Sequence, residues 1–320
     1  MKKILTIAQN DSGQRLDKFM AKNFPKLPFP VLYKAIRKKD VKINRYRCEA
    51  SQKLCEGDEV YMFLPDEFLE QKVKEYDFLK APTQLDIIYE DENILLLDKK
   101  PGLIVHQDEN YHFDCLIFRV LHYLYDKKEY NPQDEKAFAP ALANRIDRNT
   151  AGIVIAAKNA ETLRILNQKI KDREIDKFYL TVIEGTPKIK ETTLKAFLEK
   201  NEKQNRVYID EKPSKNGKTI LTKYKVLQEK KDYSLLEVEL LTGRTHQIRA
   251  HMAYIGHAII GDGKYGKNAV NKKYGIKHQA LQSYKLVFNF TTDSGVLEYL
   301  NHKEFTAKKP WFFSKFDLSL

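Results

Sequence analysis

Residues 85–99 read Leu85-Asp86-Ile87-Ile88-Tyr89-Glu90-Asp91-Glu92-Asn93-Ile94-Leu95-Leu96-Leu97-Asp98-Lys99. Two apolar runs, 87–89 and 94–97, flank a polar turn at 90–93. Runs this short, with little alternation, predict strands of a sheet covered on both faces. The texture returns downstream at 153–157, and strands are expected around 179–183, 219–227 and 234–240. In the last of these, Leu236, Val238 and Leu240 alternate with Glu237 and Glu239. Leu163, Leu166 and Ile170, at i, i+3 and i+7, predict a helix. Many short strands with few helices predict an α+β fold, with a mixed, largely antiparallel sheet spanning 86–320.

Upstream the pattern differs. Residues 66–85 are polar and charged, with Pro82 near the end, and read as a linker; the alternative is a surface segment packed on the next domain. Residues 1–65 form a third stretch. Leu16, Phe19 and Met20 mark one amphipathic helix. A second is expected over about 31–38, with Leu32, Ala35 and Ile36 inward, and it ends on Arg37, Lys38 and Lys39. Val41-Lys42-Ile43 and the alternating Val60, Met62 and Leu64 predict two strands, with a turn at Gly57-Asp58. This stretch holds 14 Lys and Arg against 7 Asp and Glu, a net of +7 out of +12 for the 320 residues. It therefore reads as a separate basic module. Such a charge suits a polyanionic partner, because cations on phosphates release counterions; the plain alternative is a basic, soluble surface.

Several classes are disfavoured. Three cysteines, Cys48, Cys55 and Cys115, with no CxxC pair, fit neither a disulfide framework nor a cysteine zinc site. A reducing, cytoplasmic setting is expected. The apolar run after Lys2-Lys3 is too short for a signal segment, and no stretch reaches the roughly 18 apolar residues of a membrane helix. His246, His251 and His257 are spaced by five and six, not the i, i+4 of a zincin, and HExxH is absent, so no metal is expected. No GxGxxG or P-loop motif occurs, and no small-molecule cofactor is expected.

Two clusters concentrate chemistry. Residues 144–152, Asn144-Arg145-Ile146-Asp147-Arg148-Asn149-Thr150-Ala151-Gly152, set one carboxylate between two guanidiniums just before a strand. Asp147 is either an anion held ionised by its neighbours or a turn cap paired with surface arginines. Residues 241–251 follow another strand and bring Arg244 and Arg249, forks for a carboxylate or phosphate, or else arginines of a solvated loop. Lys177-Phe178-Tyr179 opens a strand and by itself indicates packing.

In combination these pieces are specific. RIDRNTAG at 145–152, KFYLTVIEG at 177–185 and LLTGRTHQIRAHMAYIGHAIIGDGKYG at 240–266 resemble, in order and rough spacing, the RluA family of pseudouridine synthases. KPGLIVH at 100–106 resembles that family's KPxGLxVH element. The resemblance covers about 85–300. The N-terminal runs RLDKFMAKNFP, LYKAIRKKDVKINRYRC and LCEGDEVYMFLP resemble an S4-type RNA-binding domain, so the arrangement looks like the RluC/RluD type that acts on large-subunit ribosomal RNA. The resemblance implies an RNA pseudouridine synthase needing no cofactor, with Asp147 as its catalytic carboxylate, Tyr179 in the active site and Arg244 paired to the aspartate. Arg145 is implied to handle RNA and the flipped base, and Arg249, Arg37, Lys38, Lys39 and Lys42 to contact RNA. Transfer RNA is the alternative substrate, and a non-catalytic RNA-binding protein the alternative class. The chain departs from the family at Asn144, Ile146, Asn149 and Ala151, where many members have His, Leu, Asp and Ser. It also has one residue fewer between Pro101 and Gly102.

Overall fold

The computed structural model describes residues 2–70, 76–107, 113–135 and 137–319. The first unit comprises β1 (Lys2–Thr6), α1 (Leu16–Asn23), α2 (Phe29–Lys38), β2 (Val41–Ile43), β3 (Tyr46–Arg47) and β4 (Glu59–Phe63). Its four strands pair antiparallel in the order β1-β4-β2-β3. Leu16, Phe19, Met20, Leu32 and Ile36 meet Val41, Val60 and Met62 in one apolar cluster, which is why both helices lie on the same face of this sheet. α2 stops at Lys39, whose φ of 65° places it in the left-handed C-cap conformation. Arg37 and Lys38 in the last turn suit the negative end of the helix dipole and stay exposed.

Residues 66–85, read as a linker, are anchored at both ends. Leu69 belongs to the first core. Phe78 is buried against Tyr125 and Tyr130, with ring centroids at 5.8 and 6.0 Å. Leu69 and Phe78 bury large side chains, so the described parts of this segment pack where charge composition implied a tether.

The second unit contains β5 (Ile87–Glu90), β6 (Ile94–Lys99), α3 (Leu116–Asp126), β7 (Ala141–Leu142), β8 (Ala151–Ala157), α4 (Ala160–Asp172), β9 (Ile175–Glu184), β10 (Glu191–Asn201), β11 (Arg206–Asp210), β12 (Lys218–Glu229), β13 (Tyr233–Leu240), α5 (Gln247–Tyr254), α6 (Asn268–Tyr274), β14 (Leu281–Phe288), β15 (Glu304–Thr306) and α7 (Phe313–Phe316). The sheet runs β11-β10-β12-β13-β9-β14-β8-β6-β5, with β15 on β14 and β7 on β8. Every pairing is antiparallel except β14 with β8, so the fold is α+β with a largely antiparallel sheet, as expected.

The doubly covered strands are β6 and β8, all of β8 being buried. β5 is the exception: it is the sheet edge and only half-buried. At the parallel junction Gly152 has a φ of 105°, and a Cβ there would stand 2.0 Å from the Ser283 carbonyl oxygen. Only glycine lets β14 approach β8 this closely. Among the described residues no helix is long and apolar enough to cross a membrane.

Candidate active site

The site is assembled by one apolar cluster beneath it. Ile146, Tyr179 and Ile248 all belong to the core that also holds Leu97, Val154, Val238 and Met252. Burying Ile146 and Ile248 is worth about 1.5–3 kcal/mol each. It fastens the loop between β7 and β8, the middle of β9 and the first turn of α5 to one another.

The start of α5 is fixed by one amide. Gln247 is buried; its Nε2 donates to the Leu221 carbonyl and to Thr222 Oγ1, both at 3.0 Å. Its Oε1 accepts from Thr242 Oγ1 at 3.0 Å and from the Arg244 N–H at 3.2 Å. With its polar groups satisfied, Gln247 nails the helix to β12 and thereby aims Arg249.

Arg249 is 8% exposed. Its Nε and Nη2 fork onto Asp262 at 2.7 and 2.9 Å, and Nη1 donates to Asp147 Oδ2 at 2.7 Å. One planar guanidinium thus bridges two carboxylates in a fixed direction. Burial alone would lower the Arg249 pKa, but both aspartates more than offset it and hold it above its ordinary value. Burial would likewise raise the Asp262 carboxyl, yet the Arg249 fork and the N–H groups of Lys264 and Tyr265 hold it below the usual range. Asp147 keeps 26% of its side chain exposed. Its Oδ2 is taken by the arginine.

The loop carrying Asp147 is stitched on both sides. The Thr150 N–H donates to the Asp147 carbonyl at 3.0 Å, closing a turn. Asn144 Oδ1 accepts the Ile155 N–H at 2.8 Å, which ties the loop to β8. Gly102 N–H donates to the Arg148 carbonyl at 2.9 Å, and Arg148 Nε donates to the Gly102 carbonyl at 3.1 Å. Lys99 completes the seam. It is 2% exposed, and its Nζ donates to the carbonyls of Lys100, Leu103 and Arg148 at 3.0, 2.8 and 2.9 Å. Burial pushes this ammonium down to about 7 against the pull of Asp147. Lys99→Met keeps the volume but takes this donor from the Lys100 and Leu103 carbonyls and leaves the Arg148 carbonyl with the Gly102 N–H. Urea unfolding is expected to show a loss of about 2–4 kcal/mol, with the site loop loosened; an unchanged unfolding midpoint would contradict this.

Tyr179 lies on β9 opposite Val238 of β13 and Ser283 of β14. Burial, with a smaller contribution from the Asp147 charge, raises its hydroxyl to about 12, so it stays a neutral phenol.

The sequence placed Asp147, Tyr179 and two arginines in one site, and the structure brings Asp147, Tyr179 and Arg249 together. The arginine on the aspartate is Arg249, not Arg244. Arg244, expected on the aspartate, is exposed in the turn before α5. Arg249, expected on RNA, is buried on Asp147 and Asp262 because it sits on the inward face of the first helical turn. Arg145 is exposed, and Arg37, Lys38, Lys39 and Lys42 line the α2–β2 corner, all but half-buried Lys42 exposed. Sequence reasoning missed Asp262, Gln247, His246, Tyr265 and Lys99. The only available signal was an Asp between glycines, Gly261-Asp262-Gly263, thirteen residues after Arg249.

Comparison with known proteins identifies the family. The family described as RNA pseudouridylate synthase matches residues 93–254, which span Asp147, Tyr179 and Arg249. Ribosomal large subunit pseudouridine synthase C of Vibrio cholerae is 31% identical over 296 residues, covering 89% of this chain and 88% of that one. An uncharacterized RNA pseudouridine synthase of Mycoplasma genitalium is 32% identical over 318 residues, covering 96% of each. The solved structure of human RNA Pseudouridylate Synthase Domain Containing 1 superposes with a TM-score of 0.56 at 21% identity, covering 73% of this chain and 86% of that one, which shows a shared fold. The arginine-held carboxylate thus lies in a chain that belongs to the RNA pseudouridylate synthase family, enzymes that isomerise uridine in RNA to pseudouridine.

Proposed function

We propose that this chain modifies large-subunit ribosomal RNA in the cytoplasm, with Asp147 as the catalytic carboxylate. The observation that carries the reading is the Arg249 guanidinium, already locked on Asp262, which spends its remaining nitrogen on Asp147. The reaction breaks the N1–C1′ bond and rejoins the ring through C5, so atoms and electrons balance within the nucleotide and no carrier is called for. The aspartate works as an anion on the ribose or the ring. A fixed cation on one of its oxygens holds it oriented. Tyr179 offers an aromatic wall and a neutral hydroxyl. Arg145 and Arg244 are exposed, and in this reading their charges meet the flipped nucleotide and its phosphates, offsetting the few kcal/mol that unstacking costs. Homologues carrying the ribosomal name support the substrate class.

The test is tritium release from transcripts labelled at uridine C5, comparing wild type with Asp147→Ala. Release by wild type from large-subunit ribosomal RNA, and none by the variant, is expected. Release by the variant at the wild-type rate would refute the role of Asp147; release from transfer RNA alone would refute the substrate class.

The N-terminal unit serves as an RNA-gripping module in this reading. Arg37, Lys38, Lys39 and Lys42 flank the α2–β2 corner, and Tyr46, 77% exposed, stands between Arg45 and Arg47 as a stacking surface. Neutralising Arg37, Lys38, Lys39 and Lys42 together to Gln is expected to flatten the slope of log affinity against log salt by roughly 3, at ~0.7–0.9 per phosphate contact. An unchanged slope would remove this corner from the interface.

A further inference from the structure

The turn before α5 places a second polar group beside Asp147. His246 has a φ of 52°, the left-handed region that L side chains rarely adopt, and such outliers concentrate at functional sites. Its ring is turned inward, 9% exposed, with Nε2 3.8 Å from Asp147 Oδ2. Its Nδ1 lies 3.0 Å from the Tyr265 hydroxyl oxygen. That oxygen already accepts the Val207 N–H at 2.9 Å.

These contacts select a tautomer. When Tyr265 donates its proton to Nδ1, the ring proton is carried on Nε2 and faces the carboxylate. The opposite tautomer would turn the Nε2 lone pair toward an anion. The groups around the ring are Asp147 from its loop, Arg249 from α5, Asp262, Lys264 and Tyr265 from the 261–266 loop, and Arg206 of β11 over the Tyr265 ring at 5.1 Å. Burial, helped by Arg249 and Lys264, outweighs the two aspartates and pushes the imidazole down to about 4. The ring is therefore neutral at the pH of the cell.

We propose that His246 is a positioning residue of the reaction: a neutral imidazole, held in one tautomer by Tyr265, whose Nε2–H engages Asp147 Oδ2 beside Arg249 and leaves Oδ1 to face the uridine. The inference rests on the reading of Asp147 as the catalytic carboxylate. The 3.8 Å separation exceeds a hydrogen bond and needs to shorten by under about 1 Å, a tightening that bound substrate brings to many sites. A neutral donor suits the task. It orients the carboxylate without adding a second full charge that would hold the anion too firmly to react.

The test uses the full chain in single-turnover tritium release, with RNA binding measured separately. His246→Ala is expected to slow the reaction about 30-fold with RNA affinity unchanged. His246→Gln, whose amide nitrogen reaches the Nε2 position, is expected to stay within about fivefold of wild type. Tyr265→Phe removes the tautomer lock and is expected to react about tenfold more slowly at pH 7.5. Its rate relative to wild type should fall further toward pH 5.5, because an imidazole that no longer accepts the phenol proton protonates more readily.

Equal losses in the Ala and Gln variants, a wild-type rate for Ala, a loss confined to RNA affinity, or a pH-independent Tyr265→Phe ratio would each overturn the proposal. Gln and Phe keep the packing, so a misfolded Ala variant leaves the test intact. Asp147→Ala run in parallel separates the two readings. If it is active, the carboxylate assignment fails; if it is inactive while His246→Ala reacts normally, only the histidine assignment fails.

Discussion

Asp147→Asn is expected to lower the single-turnover rate at least about 10⁴-fold, with RNA affinity within about twofold of wild type. The substitution keeps the shape of the side chain and removes only the negative charge. Arg249 retains its fork on Asp262, so the helix and loop keep their places and the melting temperature should move little. The asparagine carbonyl can still accept from Arg249 Nη1. What is lost is an anion able to act on the ribose or ring, and an amide supplies no substitute for it. Retention of more than about a hundredth of the wild-type rate would mean that orientation alone suffices and that the charge belongs elsewhere.

Arg249→Met is the second large effect, and it acts twice. Asp262 is fully buried, and without its partner it becomes an uncompensated charge in the interior. That costs about 3–5 kcal/mol, read as a shift of the urea midpoint. The same change frees Asp147 from its cation and its orientation, and the rate is expected to fall about 10³-fold. Arg249→Lys is informative beside it. A point charge cannot fork onto Asp262 and reach Asp147 together, so the rate should still fall by about 10²-fold. Adding Asp262→Asn to Arg249→Met should recover part of the stability and none of the rate, which separates the two roles in one cycle. Arg244→Met should leave both the stability and the Asp147 pair intact. If instead Arg244→Met proves severe and Arg249→Met mild, the two arginines have been assigned the wrong way round.

Much of this was legible in the residues, for reasons that also explain the gaps. β6 and β8 are read from composition because both of their faces are covered, and only apolar residues tolerate that. β13 is read from alternation because its two faces differ in burial. β10, with Glu191, Lys195, Glu199 and Lys200 exposed, and β14, with Gln282 and Ser283 buried among apolar neighbours, follow neither pattern cleanly. α5 has no polar face because Gln247 through Met252 are all buried. A helix enclosed on that scale shows little amphipathic signal, and the period that would have placed Arg249 inward was hidden with it. The choice between Arg244 and Arg249 depends on a helix beginning at Gln247, and that start is set by an amide reaching β12, a contact made more than twenty residues away in sequence. Asp147 and Tyr179 could be named from motif alone, whereas Asp262 and Lys99 matter through partners that only the folded chain supplies.

The sheet order has a consequence for the sequence of events at the ribosome. Asp147 is carried on the β5-β6-β8 side, and Tyr179 and Arg249 belong to the β9-β13-β12-β10-β11 side. Among the described residues, β14 is the strand that pairs with both, parallel to β8 and antiparallel to β9. It comes after every one of those side chains in the chain. A growing polypeptide therefore releases all its chemical groups before it releases the strand that seats them, and loop closures of this length are slow. A chain interrupted after Asp262 and before Leu281 therefore carries Asp147, Tyr179, Arg249 and Asp262 without the strand that seats them.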